Sequence, residues 1–232
     1  ATLIKQSIRD GNKRLFYLGT DLSVVRNDLG FARKTAETAG GEIIGSAFLP
    51  LGTTDFSTDI AKISAQRPDG VIMMLIGADA VTFARQFGSD DRVASIKRAD
   101  FLMTEKTLRS LGPAGNNIYS VASYYATVPG DANTTFKASL TRMFGEQATP
   151  DTWAAMTYTA AHMLAKAVKT PESGSKDVLE ALPGIGFDGP QGTVRITGKY
   201  VTTPIFVVKT SGDGGISLVV SYGDVPPAPH CN

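Results

Sequence analysis

Residues 50–75 read "PLGTTDFSTDIAKISAQRPDGVIMML". Pro50 and Gly52 mark a turn. Asp55 and Ser57 each offer a side-chain oxygen able to cap a helix start, and Ile60, Ala61 and Ile63 give the following helix an inward face. Pro68-Asp69-Gly70 ends that helix. The next run, "GVIMMLI" (70–76), shows no polar alternation, which suits a parallel strand buried on both faces. Turn, helix, break and buried strand make up half of a βαβ unit. No catalytic motif stands beside it.

Working outward, the same alternation repeats. "LFYLGT" (15–20) predicts a strand, followed by a helix to about Ala39 that Gly40-Gly41 closes. "EIIGSAF" (42–48) is the next strand. After 70–76 comes a helix from about Ala78 to Phe87, a strand "ADFLM" (99–103), a short helix, and a strand "IYSVASYY" (118–125). Five strands separated by helices predict an α/β fold with a doubly wound parallel sheet. Before the first strand, Leu3, Ile4 and Ile8 fall at helical spacing, with Gly11 as a C-terminal stop. These opening residues lack the basic-then-apolar order of a signal peptide, and a chain that starts in a helix reads as truncated.

The second half has a different rhythm. "NTTFKASLTRMFGE" and "DTWAAMTYTAAHMLAKAV" predict two successive amphipathic helices, the first with Phe136, Leu140, Met143 and Phe144 on its apolar face. A third, "SKDVLEAL", ends at Pro183-Gly184. Short strands follow at 192–196, 204–209 and 215–220, the last two joined by "TSGDGG" as an antiparallel hairpin. The tail "GDVPPAPHCN" is too rich in proline for regular structure. The helices between 131 and 182 have no adjacent strands of their own, so they pack either on the first sheet or on a sheet that this chain does not contain.

Composition narrows the function. The chain has 232 residues, 42% hydrophobic and 19% charged, enough for one large domain or two small ones. With 23 basic and 22 acidic residues the net charge is +1, and no basic cluster is dense enough to track a phosphate backbone. The longest apolar run, Val71 to Ile76, is too short to span a bilayer, so an integral membrane protein is not expected. Cys231, the one cysteine, has no partner for an internal disulfide or a metal site, and does not decide the compartment.

The motifs that resemble catalytic or cofactor sites read otherwise. Gly184-Ile-Gly186-Phe-Asp-Gly189 matches G-x-G-x-x-G, but that motif binds a pyrophosphate only between a strand and a helix start. Here the order is reversed, and the glycines read as a helix stop and a turn. There is no phosphate loop and no Gly-x-Ser-x-Gly elbow. His162 and His230 belong to no Ser/His/Asp or zinc pattern. Asp90-Asp91 reads as a solvated loop, and the sequon at Asn133 carries no weight without a secretory eukaryotic context. No catalytic residue, metal or cofactor is expected.

Open α/β sheets bind ligands beyond the carboxyl ends of their strands. Those ends carry Gly19-Thr20-Asp21-Leu22-Ser23, Ile76-Gly77-Ala78-Asp79, Met103-Thr104-Glu105 and Ser123-Tyr124-Tyr125. Small residues, hydroxyls, two carboxylates and two aromatics suit a small polar ligand. Thr104 followed by Glu105 reads equally as a helix cap with an acid in the first turn.

The stretch "PLGTTDFSTDIAKISAQRPDGVIMMLIGADAVTFARQ" resembles the second lobe of the type I periplasmic binding proteins, in the branched-chain amino acid, amide and urea class of ABC-transporter solute receptors. "FDGPQGTVRI" and "TTPIFVVK" are similar to that family's late, lobe-crossing segment, and the resemblance covers about residues 13–225. It implies two α/β lobes that close on a ligand, delivery to an ABC permease, no catalysis, and a periplasmic or lipid-anchored protein with a signal peptide in its precursor. By the resemblance, residues 1–124 and 200–232 form the second lobe and 125–199 the returning, mostly helical part of the first. The N-terminal segment of the first lobe is missing and is expected to be cleaved or supplied elsewhere.

Its ligand contacts are then expected at Asp21, Leu22, Ser23, Ile76, Gly77, Asp79, Thr104, Glu105, Tyr124 and Trp153. Glu105 matches the carboxylate that meets the ammonium of an amino-acid ligand. Trp153 stands where it either lines the cleft from the other lobe or fills the core. The family's tyrosine in the first loop falls at about Val24, and the loop at Ile76-Gly77 lacks its aromatic, so the ligand class stays open. Two alternatives remain: a sensor of the same fold that signals to a protein partner, in the cytoplasm or on a membrane receptor, and an α/β enzyme.

Overall fold

The computed structural model describes residues 1–168, 170 and 174–225, with Asp224 by its backbone alone. His230, Cys231 and the proline-rich end of the tail lie outside the described residues. The chain divides into two compact units, residues 1–121 with 207–217 and residues 122–206 with 218–232. It passes between them three times. The 200–232 stretch that the sequence assigns to one lobe is thus shared between the two units, because its two long strands each run through both.

The first unit begins with helix α1 (Thr2–Arg9) and then alternates: β1 (Arg14–Thr20), α2 (Ser23–Thr38), β2 (Glu42–Leu49), α3 (Ser57–Gln66), β3 (Gly70–Met74), α4 (Ala78–Gly88), β4 (Lys97–Asp100), α5 (Glu105–Ser110) and β5 (Ile118–Ala122). The strands lie in the order β2-β1-β3-β4-β5, and every pairing among them is parallel. This is the doubly wound sheet the sequence predicts. Successive side chains of a strand point to opposite faces. Leu15 and Tyr17 accordingly join Ile4, Ile8, Val25, Ala36 and Ile72 in a core beneath α1 and α2. Phe16, between them, lies on the other face under the Lys62 ammonium of α3, 5.8 Å from its ring centroid. A cluster of Phe56, Phe83 and Phe87, all fully buried, closes the side under α3 and α4, with adjacent ring centroids 5.4 and 5.1 Å apart. Burying a Phe side chain contributes roughly 1.5–3 kcal/mol, so this trio is a principal anchor of the layer.

β4 departs from expectation: it is Lys97–Asp100, not 99–103. Its charged residues are accommodated individually. The buried Arg98 guanidinium donates to the carbonyls of Ala84 (3.0 Å), Ala114 (2.8 Å) and Asn116 (2.5 Å). The buried Asp100 carboxylate accepts from the amides of Leu102 (3.2 Å) and Met103 (2.8 Å) and from the Ser120 hydroxyl (3.4 Å).

The second unit holds α6 (Asp131–Phe144), α7 (Thr152–Ala167), α8 (Ser175–Ala181), β6 (Gly186–Gly189) and β7 (Gly192–Thr197). β8 (Tyr200–Thr210) and β9 (Ile216–Val225) pair with each other, and β8 also pairs antiparallel with β7. β9 extends to Val225, beyond the expected 215–220. β6 is a strand where the sequence reads only a stop and a turn. Gly184, at φ +90°, makes the turn, and Gly186–Gly189 then pairs antiparallel with β7. Gly189 must lack a side chain, because a Cβ there would meet the Thr159 hydroxyl at 2.6 Å. Tyr124, Phe136 and Ala155 form this unit's core. Among the described residues no helix is long and apolar enough to cross a membrane.

Candidate functional site

Strand order in the first unit reverses at β1, which has β2 on one flank of the sheet and β3 on the other. Loops that follow β1 and β3 therefore diverge, and the crevice between them is where open sheets of this kind bind ligands. Three loops at this edge are tied together. The Ile76 amide donates to the buried Thr20 hydroxyl (3.1 Å). The Asp21 amide donates to the Leu49 carbonyl (2.7 Å). Asp79, at 6% exposure in the first turn of α4, accepts from the Gly52 amide (2.8 Å). Gln86 completes the bracing, accepting from the Phe56 amide and donating to the Thr54 carbonyl, both at 2.8 Å.

What this edge presents to solvent includes several apolar residues beside the exposed Asp21 and Ser23. Leu22, Val24 and Leu51 are exposed, Val24 and Leu51 at 70% and 63%, and Gly77 and Ala78 stand beside Ile76. Gly77 has φ +62° and ψ −128°, a conformation that L side chains rarely adopt, so a glycine is required for the chain to turn from β3 into α4. Ser23 is exposed. Leu22 occupies the N-cap of α2 and Gly77 that of α4, so no side chain caps either helix. The start of α2, with no acid in its first turn, favours an anionic group through its amides and dipole, whereas that of α4 already holds Asp79.

Of the remaining expected contacts, Asp21 is paired with Arg26 (2.5 Å), which lies over the Phe48 ring at 4.5 Å and holds the carboxyl below its usual range. Thr104 caps α5, accepting from the Thr107 amide at 3.3 Å. Glu105 is buried, and one of its oxygens accepts from both Nε (3.1 Å) and Nη2 (2.7 Å) of Arg109. Tyr124 and Trp153 belong to the second unit. Tyr124 is buried against Phe136 and donates to Asn133 (2.8 Å), whereas Trp153 is 59% exposed on α7. The structure thus brings Asp21, Leu22, Ser23, Ile76, Gly77 and Asp79 to one edge, with Thr104 and Glu105 at the end of the neighbouring β4.

Three contributors are absent from the expected contacts. Leu51 lies in the quoted Pro-Leu-Gly turn, whose exposed apolar residue was the available signal. Thr20 and Gln86 act through backbone partners 56 and 30 residues away, for which the sequence carries no signal. Asp100, beneath the edge, is fully buried, and burial pushes its carboxyl up to about 6 against the pull of the Met103 and Leu102 amides. Among the described residues no group of three or more His, Cys, Asp or Glu could hold a metal ion.

Residues 1–215 match the family model described as periplasmic binding protein. No curated protein matches the chain. Among solved structures, the solute-binding protein of an R. palustris ABC transporter in complex with benzoate is similar over 98% of this chain and 63% of its own, at 18% identity and a TM-score of 0.85. A Rhodopseudomonas palustris solute-binding protein in complex with p-hydroxybenzoic acid matches 97% of this chain and 64% of its own, at 20% identity and a TM-score of 0.86. An amino acid ABC transporter substrate-binding protein from Pseudomonas fluorescens matches 97% and 64%, at 17% identity and a TM-score of 0.84. At these identities the likeness is one of fold. The chain spans less than two thirds of the length of each of these proteins.

Proposed function

We propose, since this chain belongs to the periplasmic binding protein family, that it is the larger part of a non-catalytic solute-binding protein that serves an ABC importer. The first unit supplies one wall of the ligand site at the β1/β3 edge. The lobes expected at 1–124 with 200–232 and at 125–199 are read in these two units, with β8 and β9 divided between them, and the remaining segment of the first lobe lies outside this chain. Family membership supports an extracytoplasmic location, reached with a signal peptide or a lipid anchor on the precursor.

The ligand we infer is a small carboxylate with an apolar body. One observation carries this reading: the uncapped start of α2, with no acid in its first turn, opens on an edge that includes Leu22, Val24 and Leu51. Leu22, Ser23, Ile76 and Gly77 contact the ligand, while Asp21, Asp79 and Thr104 hold their loops. Glu105, engaged by Arg109, favours recognition through the carboxylate over recognition of an ammonium. Benzoate, p-hydroxybenzoate and amino acids, named with the similar solved proteins, all carry that group.

Isothermal titration of the native-length protein with benzoate, p-hydroxybenzoate, leucine and the neutral benzamide tests this. Binding of a carboxylate, with benzamide at least tenfold weaker, is the expected result. Equal binding of benzamide, or no binding by any carboxylate, overturns it. Turnover of any of them would return the protein to the enzymes.

A further inference from the structure

The three loops tied together at the edge of the first unit carry an uneven charge. Read through the first turn of the helix that each leads into (20–26, 49–60 and 75–81), they hold Asp21, Asp55, Asp59 and Asp79 but one cation, Arg26. A carboxylate that settles there meets four acidic side chains and a single basic one. The amides at the start of α2 attract it only within that first turn. What Arg26 can offer therefore decides whether this edge distinguishes an acid from a neutral compound of the same shape.

Arg26 is held from several sides. Its amide donates to the Leu22 carbonyl (2.9 Å), closing the first turn of α2. Its Nε donates to the Asp21 carboxylate (2.5 Å), and its Cζ lies 4.5 Å from the centroid of the Phe48 ring. Phe48 stands near the end of β2, opposite Gly19 of β1, and packs against the core beneath α2 with the Tyr17 ring 5.9 Å away. The platform is thus part of the sheet, and the guanidinium rests at the carboxyl ends of β1 and β2. A cation over a ring face is attracted by the ring's quadrupole, a contact that engages none of its N–H donors.

Of those donors only Nε is engaged. Among the described residues Nη1 and Nη2 have no partner, and the side chain is 52% exposed. A guanidinium is a rigid planar fork that matches a carboxylate through two parallel N–H bonds. With Asp21 on Nε, the terminal pair of nitrogens is left open toward solvent beside Leu22.

We propose that Arg26 is the residue by which this edge selects acids: its two terminal nitrogens receive the carboxylate of the ligand, while Asp21 and Phe48 hold the guanidinium in place. This rests on the reading of the protein as a receptor for a small carboxylate, and adds to it a side chain that the expected contacts do not include. Asp21 is then a positioning residue. It shares one guanidinium with the ligand, itself on Nε and the ligand on the terminal fork, and Leu22 meets the apolar body next to that fork.

Isothermal titration of the native-length wild type, Arg26→Met and Arg26→Lys with benzoate and with benzamide tests this, alongside thermal unfolding of each. Methionine keeps an unbranched apolar stem over Phe48 and removes every donor. In Arg26→Met, benzoate is expected to bind about tenfold or more weakly, the scale of a lost hydrogen bond between charged groups. Benzamide affinity should not change, so the preference for the acid collapses. Tm should move by no more than about 2 °C, because an exposed ion pair contributes little to stability. Arg26→Lys keeps the charge without the fork and should recover only part of the benzoate affinity. Retention of the wild-type preference by Arg26→Met overturns the proposal. Equal losses for benzoate and benzamide also overturn it, since Arg26 would then only brace the edge. A wild type that binds benzoate no better than benzamide overturns the carboxylate reading itself, so the two failures are told apart by the wild type alone.

Discussion

The Ile76 amide and the Thr20 hydroxyl meet at 3.1 Å across the point where the order of the parallel sheet reverses. Thr20 is 1% exposed and ends β1, and Ile76 follows β3, so this bond fixes the two loops whose divergence opens the crevice. Thr20→Val keeps the shape and removes the acceptor. An unsatisfied part-buried amide costs roughly 1–3 kcal/mol, which for a chain of this size lowers Tm by about 2–4 °C per kcal/mol. Thr20→Ser keeps the acceptor and is expected to recover most of the loss in thermal unfolding.

Arg98 is buried at 1% exposure and donates to three carbonyls, with no carboxylate paired to it among the described residues, near the C-terminal end of α4 and the turn at 112–115. Burial pulls its guanidinium down to about 10, still charged at neutral pH. Arg98→Met fills similar volume and strands all three acceptors. At roughly 1.5–3 kcal/mol for a hydrogen bond to a charged group, a loss of about 3 kcal/mol or more is expected. Urea unfolding of Arg98→Met and Arg98→Lys gives the check, with Lys, a single point donor, recovering only part. A loss below about 1 kcal/mol for Met would show that water reaches these carbonyls.

These residues also explain what could be read from the chain and what could not. "GVIMMLI" announces a buried parallel strand because burial on both faces leaves an unbroken apolar run. Lys97-Arg98-Ala99-Asp100 announces nothing, because its charges are compensated by carbonyls and amides that come together only in the folded unit. The candidate edge is legible as a set of strand ends, since topology alone selects them. Which of its polar groups face outward is not. Asp79 is engaged by Gly52, 27 residues earlier, and Glu105 by Arg109, one helical turn later. Tyr124 likewise spends its hydroxyl on Asn133 within the second unit.

Glu105→Gln separates the two roles available to that carboxylate. Sequence alone leads one to expect weaker ligand binding with folding nearly intact. With Glu105 buried and Arg109 on one of its oxygens, the expected outcome is a stability loss of about 1–2 kcal/mol and less than a twofold change in affinity for benzoate. Paired calorimetry and thermal unfolding decide it. A large loss of affinity at unchanged stability would place Glu105 on the ligand instead.

Asp100 gives a pH signature. Its folded carboxyl titrates at about 6, raised by burial above the ordinary value near 4. The folded state therefore holds a proton that the unfolded chain has already released between about pH 4 and pH 6. This site's contribution is fully present below about pH 4 and is lost as pH rises through 6, to a total on the order of 3 kcal/mol. Asp100→Asn removes the titration and retains an oxygen for the Leu102 and Met103 amides. The difference in stability between wild type and variant, followed by urea unfolding from pH 4 to pH 7, should move in favour of Asn as pH rises. A difference independent of pH would mean that Asp100 titrates outside this window.

Two glycine-to-alanine changes should have opposite signs. At Gly77 an added Cβ would meet nothing within 4 Å, so steric contact plays no part and only the backbone at φ +62°, ψ −128° resists it. Holding a side-chain-bearing residue there costs of order 1–3 kcal/mol, unless the loop relaxes and the Ile76 amide leaves Thr20. Gly30, inside α2, also has open space around it but no positive φ, and alanine there gains about 0.5–1 kcal/mol of helix stability. Thermal unfolding should therefore show Gly77→Ala below and Gly30→Ala above wild type, and benzoate affinity should fall only for Gly77→Ala. If Gly77→Ala left both stability and affinity unchanged, the turn from β3 into α4 would not be the rigid element that shapes this edge.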